Sequence, residues 1–532
     1  MEQASFKTQS WLSWFLRGVL VLFFLFLASR LFELQIIKGG YYRKLSDENR
    51  VRKITLPAPR GKILARGGEI LVGNSPIKKR IIFKLEGGFE LSDETIGADS
   101  EELLTYYKRD YLLGSAFAHA GGYLGEANEA EIGKIEPKCP QKGPKVLGDL
   151  VGRSGLEEEY DCSLRGTPGE ELIEVDISGK YLRTLGKIEP ISGEDIKTNI
   201  DFGLQKKVAE EMIDSKGGII ATDAKGQVLA FYSSPSYDPN DVVKSLNDSN
   251  LPLFNRIIGG LYHPGSVFKP VVAAAALEEK KIDRNYRYTD SGIIKVNDYS
   301  YTNWYLTQYG KTEGEIGVIR AIARSTDTFF YKLGEIVGID SMVRYADKFG
   351  YSQKSGIDIP GEIGGLIPSP EWKKKVKNEI WFLGNTYHFA IGQGDVAVTP
   401  IEVNRAIEVI ANGGKICQPK IVGNPECKDL NLKKETLDLI KEGMEEVCSE
   451  GGTGYTFFDF PSKAGGMKVA CKTGTAETNT DGKTHAWFTL FAPSDFPEIT
   501  LTVLVEGGGE GSKVAGPVAR KIMDYWVTKG KI

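Results

Sequence analysis

The chain opens on an almost continuous apolar run. From Trp11 to Ser29 the only charge is Arg17, and Gly18 to Ala28 is uninterrupted. A stretch of this length can cross a bilayer as a helix, and Leu27-Ala28-Ser29-Arg30-Leu31 lacks the small-x-small site of a cleaved leader. The expectation is an uncleaved anchor over residues 11–32 behind a short cytoplasmic tail, residues 1–10. Charge opposes that orientation. Lys7 and Arg17 precede the uninterrupted apolar core, whereas Arg30, Lys38, Arg43, Lys44, Arg50, Arg52 and Lys53 follow it. On its face the positive-inside rule disfavours an external C-terminal bulk.

Beyond the anchor the pattern breaks into short pieces. Pro59 to Leu71 alternates β-type runs with glycine turns, residues 85–150 mix short helical and polar stretches, and Gly152 to Glu157 and Leu164 to Gly169 punctuate another β-rich segment. No acids, histidines or thiols converge there, so residues 33–195 read as a non-catalytic module. Pro190, Gly193 and the Thr198 to Asp201 turn mark a boundary before a helix at Leu204-Gln205. Gly218 to Asp223 and Gln227 to Tyr232 form an expected hairpin, Val271 to Leu277 a buried helix, Val469 to Glu477 a strand and Val514 to Trp526 a terminal helix. Residues 196–532 thus form one domain with strands at both ends and helices between, a multi-domain α+β chain.

Composition narrows the function. A length of 532 residues predicts two or three domains, and 67 Lys plus Arg against 71 Asp plus Glu give no electrostatic case for nucleic-acid binding. The four histidines never fall in HExxH spacing, and cysteines 139, 162, 417, 427, 448 and 471 include no CxxC pair, which argues against a metal site. In an oxidising compartment some of Cys417, Cys427 and Cys448 could pair; buried free thiols are the alternative.

The chemistry gathers at His263-Pro264-Gly265-Ser266-Val267-Phe268-Lys269-Pro270. Pro264 and Gly265 make a turn, and Pro270 is tolerated in the first turn of the helix that follows. Ser266 and Lys269, three apart, share a face. A hydroxyl beside an amine makes a nucleophile and a base only if the amine is neutral. From an ordinary value of about 10.4 this needs a shift of about three units, worth roughly 4 kcal/mol. Alone the pair is equally a helix-start serine and a solvated lysine. Two other stretches carry suitable groups: Ser325 and Asp327 before the aromatic run at Phe329, where Asp327 also reads as a helix cap, and Lys472-Thr473-Gly474-Thr475, where Gly474 leaves room for a substrate backbone.

SxxK at Ser266 and Lys269, a serine triplet at Ser325 to Asp327 and KTG at Lys472 to Gly474, in that order, resemble the motif set of the penicillin-binding transpeptidases. The flanks agree: His485-Ala486-Trp487-Phe488, Ile391-Gly392-Gln393-Gly394-Asp395 and Val505-Glu506. Arg60-Gly61, Gly152 to Leu156 and Leu164-Arg165-Gly166 are similar to the pedestal of class B members, and Asn385-Thr386 with the Ser325 triplet look most like the elongation-type branch. The resemblance implies a penicillin-binding fold, an antiparallel sheet flanked by helices, with no cofactor. It implies cross-linking of peptidoglycan stem peptides ending in D-Ala-D-Ala, acylation by β-lactams and a SEDS-family glycosyltransferase partner. The active site then lies outside the cytoplasmic membrane. It further implies Ser266, Lys269, Ser325 and Lys472 as catalytic residues and Asp327, Thr473, Gly474 and Thr475 as substrate-binding ones.

Two positions depart from the pattern. Asp327 stands where the wider family has Asn, and its charge would raise the Lys269 pKa while Lys472 lowers it. Ala65 replaces a usual acid. A carboxypeptidase, a β-lactamase-type hydrolase and a catalytically idle activator of the glycosyltransferase are the alternative functions. No GxSxG elbow exists, the GKT triplets lack the upstream glycine of a P-loop, and His263 reads as a turn residue.

Overall fold

The computed structural model describes residues 5–83, 89–93, 103–176, 181–478 and 482–529; residues 1–4 of the expected tail lie outside them. Helix α1 (Ser5–Phe32) carries the apolar run, and its side chains from Trp11 onward are exposed, as a membrane anchor requires.

The chain forms two compact bodies. One comprises residues 1–59, 75–108 and 166–193. Its three-stranded antiparallel sheet places Gly169–Val175 between Val51–Leu56 and Tyr181–Ile188, and Ile54, Leu56, Ile81, Leu104, Ile173 and Val175 form its core. The other comprises residues 60–74, 109–165 and 194–532. Its N-terminal pieces are gathered by a carboxylate buried without any exposure, Glu157, which accepts from Arg60 Nε at 2.8 Å and Arg109 Nε at 2.7 Å. Arg60 also donates to Asp161 at 2.7 Å, and Gly61 N to Leu164 O at 2.8 Å. The resemblance motifs are therefore one cluster in space. Its glycines are close-approach residues: a Cβ on Gly61 would lie 1.9 Å from Glu194 O, and one on Gly152 1.9 Å from Glu157 O. Ala65 is fully buried beside Ile63 and Leu71, a place that would strand an unpaired charge.

The larger body is built on a five-stranded antiparallel sheet. In chain order its elements include helix α2 (Phe202–Met212), strands β1 (Gly217–Thr222) and β2 (Val228–Ser234), helices α3 (Lys269–Glu278), α4 (Val318–Arg324), α5 (Asp327–Val337), α6 (Pro400–Ala411) and α7 (Lys434–Val447), strands β3 (Ala470–Glu477), β4 (Thr484–Ala492) and β5 (Ile499–Val505), and helix α8 (Ala515–Lys529). The expected hairpin is β1–β2, and the strand order is β2-β1-β5-β4-β3, so the Lys472 strand forms an edge. Strands β1, β2 and β5 are buried at every residue: α6 packs on β1 and β5, α8 on β5, and α2 on β2. Thr489 and Thr502 face each other in register and Thr502 meets Asn404 of α6, whereas Phe488, on the opposite face, packs on Gly516 of α8.

All six cysteines are paired: Cys139–Cys162, Cys417–Cys427 and Cys448–Cys471. The free-thiol alternative is thereby overturned. Cys448 joins Cys471, which the spacing did not single out, because the end of α7 lies against β3.

A second polar group is buried between α6 and the sheet. Glu408 accepts from Thr222 Oγ1 at 2.8 Å, its other carboxyl oxygen has no partner, and burial raises its pKa from 4.5 to about 8. A carboxyl whose pKa is raised by folding stabilises the fold fully below about pH 4.5, and that contribution is lost as pH rises through about 8. Glu408→Gln, which keeps an acceptor for Thr222, is expected to lower the melting temperature near pH 5 and to lose that disadvantage, or reverse it by a few degrees, near pH 9. Melting scans across pH that show a constant offset would refute this.

Candidate active site

Ser266 sits in a 3-10 turn, Gly265–Phe268, that leads directly into α3. The turn is wedged in place. Gly265 has φ +55° and donates its N–H to Gly392 O at 2.8 Å; a Cβ there would lie 2.8 Å from Thr475 O. The left-handed backbone and the tight fit both call for glycine. On the facing strand, the space a side chain would take at Gly474 is already filled by this turn, with Val267 Cγ1 at 2.9 Å and Pro264 O at 3.2 Å. Glycine here admits the Ser266 turn rather than leaving an open gap. His263 accepts from Trp487 Nε1 through its carbonyl at 3.0 Å and holds Val396 O with Nδ1 at 2.6 Å, so it braces the turn from the other side.

Three segments meet at Ser325. This residue closes α4 in the left-handed region, φ 56° and ψ 38°, and the bond from Thr326 N to Ala321 O seals the helix end. Glycine usually occupies that position; a serine there carries strain of about 1–3 kcal/mol. The strain places Oγ 3.2 Å from Lys269 Nζ and 2.9 Å from Lys472 Nζ. Lys269 also donates to Ser325 O at 2.8 Å and Asp327 Oδ1 at 2.6 Å, which uses all three protons of an ammonium. Ser266 Oγ makes no hydrogen bond within the described residues.

Both amines are fully buried. Burial lowers the Lys269 pKa, and the Asp327 carboxylate pulls it back up. Lys472 is driven well below its ordinary value, first by burial and then by repulsion from Lys269, with Asp327 opposing. Because both amines touch one hydroxyl, they titrate as a pair. The ion pair with Asp327 favours the charge on Lys269, which leaves Lys472 as the amine most inclined to be neutral.

Asp327 is the first residue of α5; the cap position belongs to Thr326, so a capping role is not what the carboxylate serves. Its Oδ2 accepts from Trp304 N at 3.2 Å, and its own N–H donates to Asn303 Oδ1 at 3.1 Å. Asn303 is anchored by Asp290, whose carboxylate also takes Thr328 Oγ1 at 2.6 Å. This Asp290–Asn303–Trp304 support is the part sequence reasoning missed, since one asparagine in a polar loop carries no signal. Thr473 is buried with its hydroxyl 2.8 Å from that of Thr453, whereas Thr475 is exposed and accepts from Gly511 N at 3.3 Å.

The chain is similar to known penicillin-binding proteins. The penicillin-binding protein transpeptidase domain matches residues 217–524 and the penicillin-binding protein dimerisation domain residues 101–198. The peptidoglycan D,D-transpeptidase MrdA of Haemophilus influenzae is 31% identical, covering 94% of this chain and 89% of its own, and that of Acinetobacter baumannii 30%, covering 97% and 87%. Among solved structures, the Helicobacter pylori penicillin-binding protein PBP2 in complex with MreC superposes with a TM-score of 0.77 at 27% identity, covering 91% of this chain and all of that one. Pseudomonas aeruginosa PBP2 in complex with WCK 5153 gives 0.71 at 31%, covering 89% and 96%. The chain belongs to the penicillin-binding protein transpeptidase family. Within that family it is a class B protein, most like the elongation-type branch.

Replacing Asp327 by Asn removes the one charge that raises both amines. The acidic limb of the pH profile for acylation by a labelled penicillin is expected to move to lower pH. A limb that stays in place would show that Asp327 does not set the charge of the pair.

Proposed function

We infer that the protein is a peptidoglycan D,D-transpeptidase in which Ser266 is the nucleophile. The observation that carries this reading is the Ser325 hydroxyl held between two buried amines, one of which, Lys269, follows Ser266 by three residues. Ser266 Oγ attacks the penultimate carbonyl of a stem peptide ending in D-Ala-D-Ala. Its proton passes to Lys269 once that amine has given one up through Ser325 toward Lys472. The tetrahedral adduct then collapses: the peptide C–N bond breaks, a proton returns through Ser325 to the leaving nitrogen, and D-Ala departs. An amine from a neighbouring strand attacks the ester, restores the Ser266 hydroxyl and forms the cross-link.

The backbone N–H groups of Ser266 and Thr475 are the oxyanion donors in this scheme, each worth about 2.7–4 kcal/mol in such sites. Support comes from the contact of the Gly265 turn with Thr475. Lys472, Thr473, Gly474 and Thr475 line the substrate side, with Lys472 and Thr473 toward its terminal carboxylate, and Asp327 orients Lys269. β-Lactams acylate the same serine. The division into an anchor (11–32), a pedestal (33–195) and a transpeptidase domain (196–532) belongs to the same proposal.

The catalytic body is placed outside the cytoplasmic membrane. Three disulfides involving every cysteine fit an oxidising compartment and outweigh the basic residues that follow α1. A SEDS-family glycosyltransferase is the proposed membrane partner. In favour of it, the chain resembles, with a TM-score of 0.76 at 28% identity over 98% of its length, a chain from a structure of a peptidoglycan synthase complex that couples polymerization and crosslinking.

Mass spectrometry after exposure to a labelled penicillin tests the assignment. A covalent adduct is expected on the Ser266 peptide, persisting for many minutes, and Ser266→Ala is expected to abolish it with the melting temperature retained. An adduct on another residue, or none on the folded protein, would end the reading; rapid loss of the adduct would identify a hydrolase.

A further inference from the structure

The loop between α7 and β3 joins two catalytic segments through one residue. Thr453 donates its N–H to Ala323 O at 3.3 Å, two residues before Ser325, and its hydroxyl lies 2.8 Å from the hydroxyl of Thr473, beside Lys472. Its position is built from three sides. The Cys448–Cys471 disulfide ties the start of the loop to the residue preceding Lys472. Gly452 and Gly454 let the loop fold down onto the end of α7: a Cβ on Gly452 would lie 2.2 Å from Glu446 O, and one on Gly454 2.9 Å from Val447 O and from Cys471 Sγ. Gly454 N donates to Val447 O at 2.8 Å, and Arg324 holds Gly451 O at 3.2 Å.

We propose that Thr453 is a positioning residue for substrate binding, directing the Thr473 hydroxyl toward the terminal carboxylate of the bound peptide or the carboxylate of a β-lactam. This rests on the reading of Lys472 and Thr473 as the carboxylate site. A carboxylate only accepts hydrogen bonds, so Thr473 must spend its single proton on it. The 2.8 Å contact is then made by the Thr453 proton, because Thr473 has no second one to give. Thr453 thereby fixes the direction of the Thr473 O–H and polarises it toward the anion. Without the Thr453 hydroxyl, the Thr473 rotor has other directions to choose from. The loss falls on binding before acylation, not on the attack at Ser266.

Stopped-flow acylation by a fluorescent penicillin separates the dissociation constant of the initial complex from the acylation rate constant. Thr453→Val, which keeps the shape and removes the hydroxyl, is expected to raise that dissociation constant about three- to tenfold, the scale of one lost hydrogen bond between neutral hydroxyls, with the rate constant changed less than twofold. Thr453→Ser is expected to restore wild-type binding. An unchanged dissociation constant, a loss confined to the rate constant, or a serine variant no better than valine would overturn the proposal. If valine does not fold, as a melting scan reports, Thr453→Ala against Thr453→Ser makes the same comparison. Absence of a Ser266 adduct in the wild type would instead remove the underlying reading; wild-type acylation with an indifferent Thr453→Val removes this inference alone.

Discussion

Two amines withdrawn from water around one hydroxyl govern this structure. An ammonium inside a protein is costly, and two of them within reach of the same oxygen repel. Lys269 relieves part of that cost through Asp327, at 2.6 Å, which leaves Lys472 under the stronger pressure to lose its proton. Ser325 links them as a common partner, its Oγ accepting from both amines. In the proposed mechanism, reactivity at Ser266 depends on the proton balance of a network rather than on the basicity of its nearest lysine.

The scaffold is shaped to keep those groups dry and close. β3 is an edge strand, free on one side, yet Lys472 on it is fully buried because the Ser266 turn packs into the space left by Gly474. The strained backbone at Ser325 is held by the segments that converge on it: α4 ends there, α5 begins two residues later, and Asp290 and Asn303 secure the start of α5. An outlier of this kind persists only where its surroundings over-determine it. The disulfide at Cys471 adds a covalent tie one residue from Lys472.

Away from the site, the same logic of enclosed charge organises the N-terminal pieces of the larger body. Glu157 holds Arg60 and Arg109 with no exposure to solvent, and close glycine contacts leave no space for side chains around it. Such a cluster contributes little net stability but is costly to break, which suits a junction of separate chain segments.

The amino-acid order alone determined the apolar span, the two short runs of the β1–β2 hairpin, the glycine and proline turn before α3, and the three motifs, because these are local patterns of hydrophobicity, backbone freedom and residue type. It left open whether Asp327 caps a helix or faces a lysine, since both uses place an acid at the same point in the chain. It likewise left open whether Gly474 makes room for a ligand or for Val267, which cysteines pair, and which lysine is more readily neutral. Those questions turn on through-space distance and burial between residues apart in the sequence, from Cys417 and Cys427, 10 positions apart, to Ser325 and Lys472, 147 apart. Desolvation and Coulomb energy act across that space, so only the assembled fold decides them.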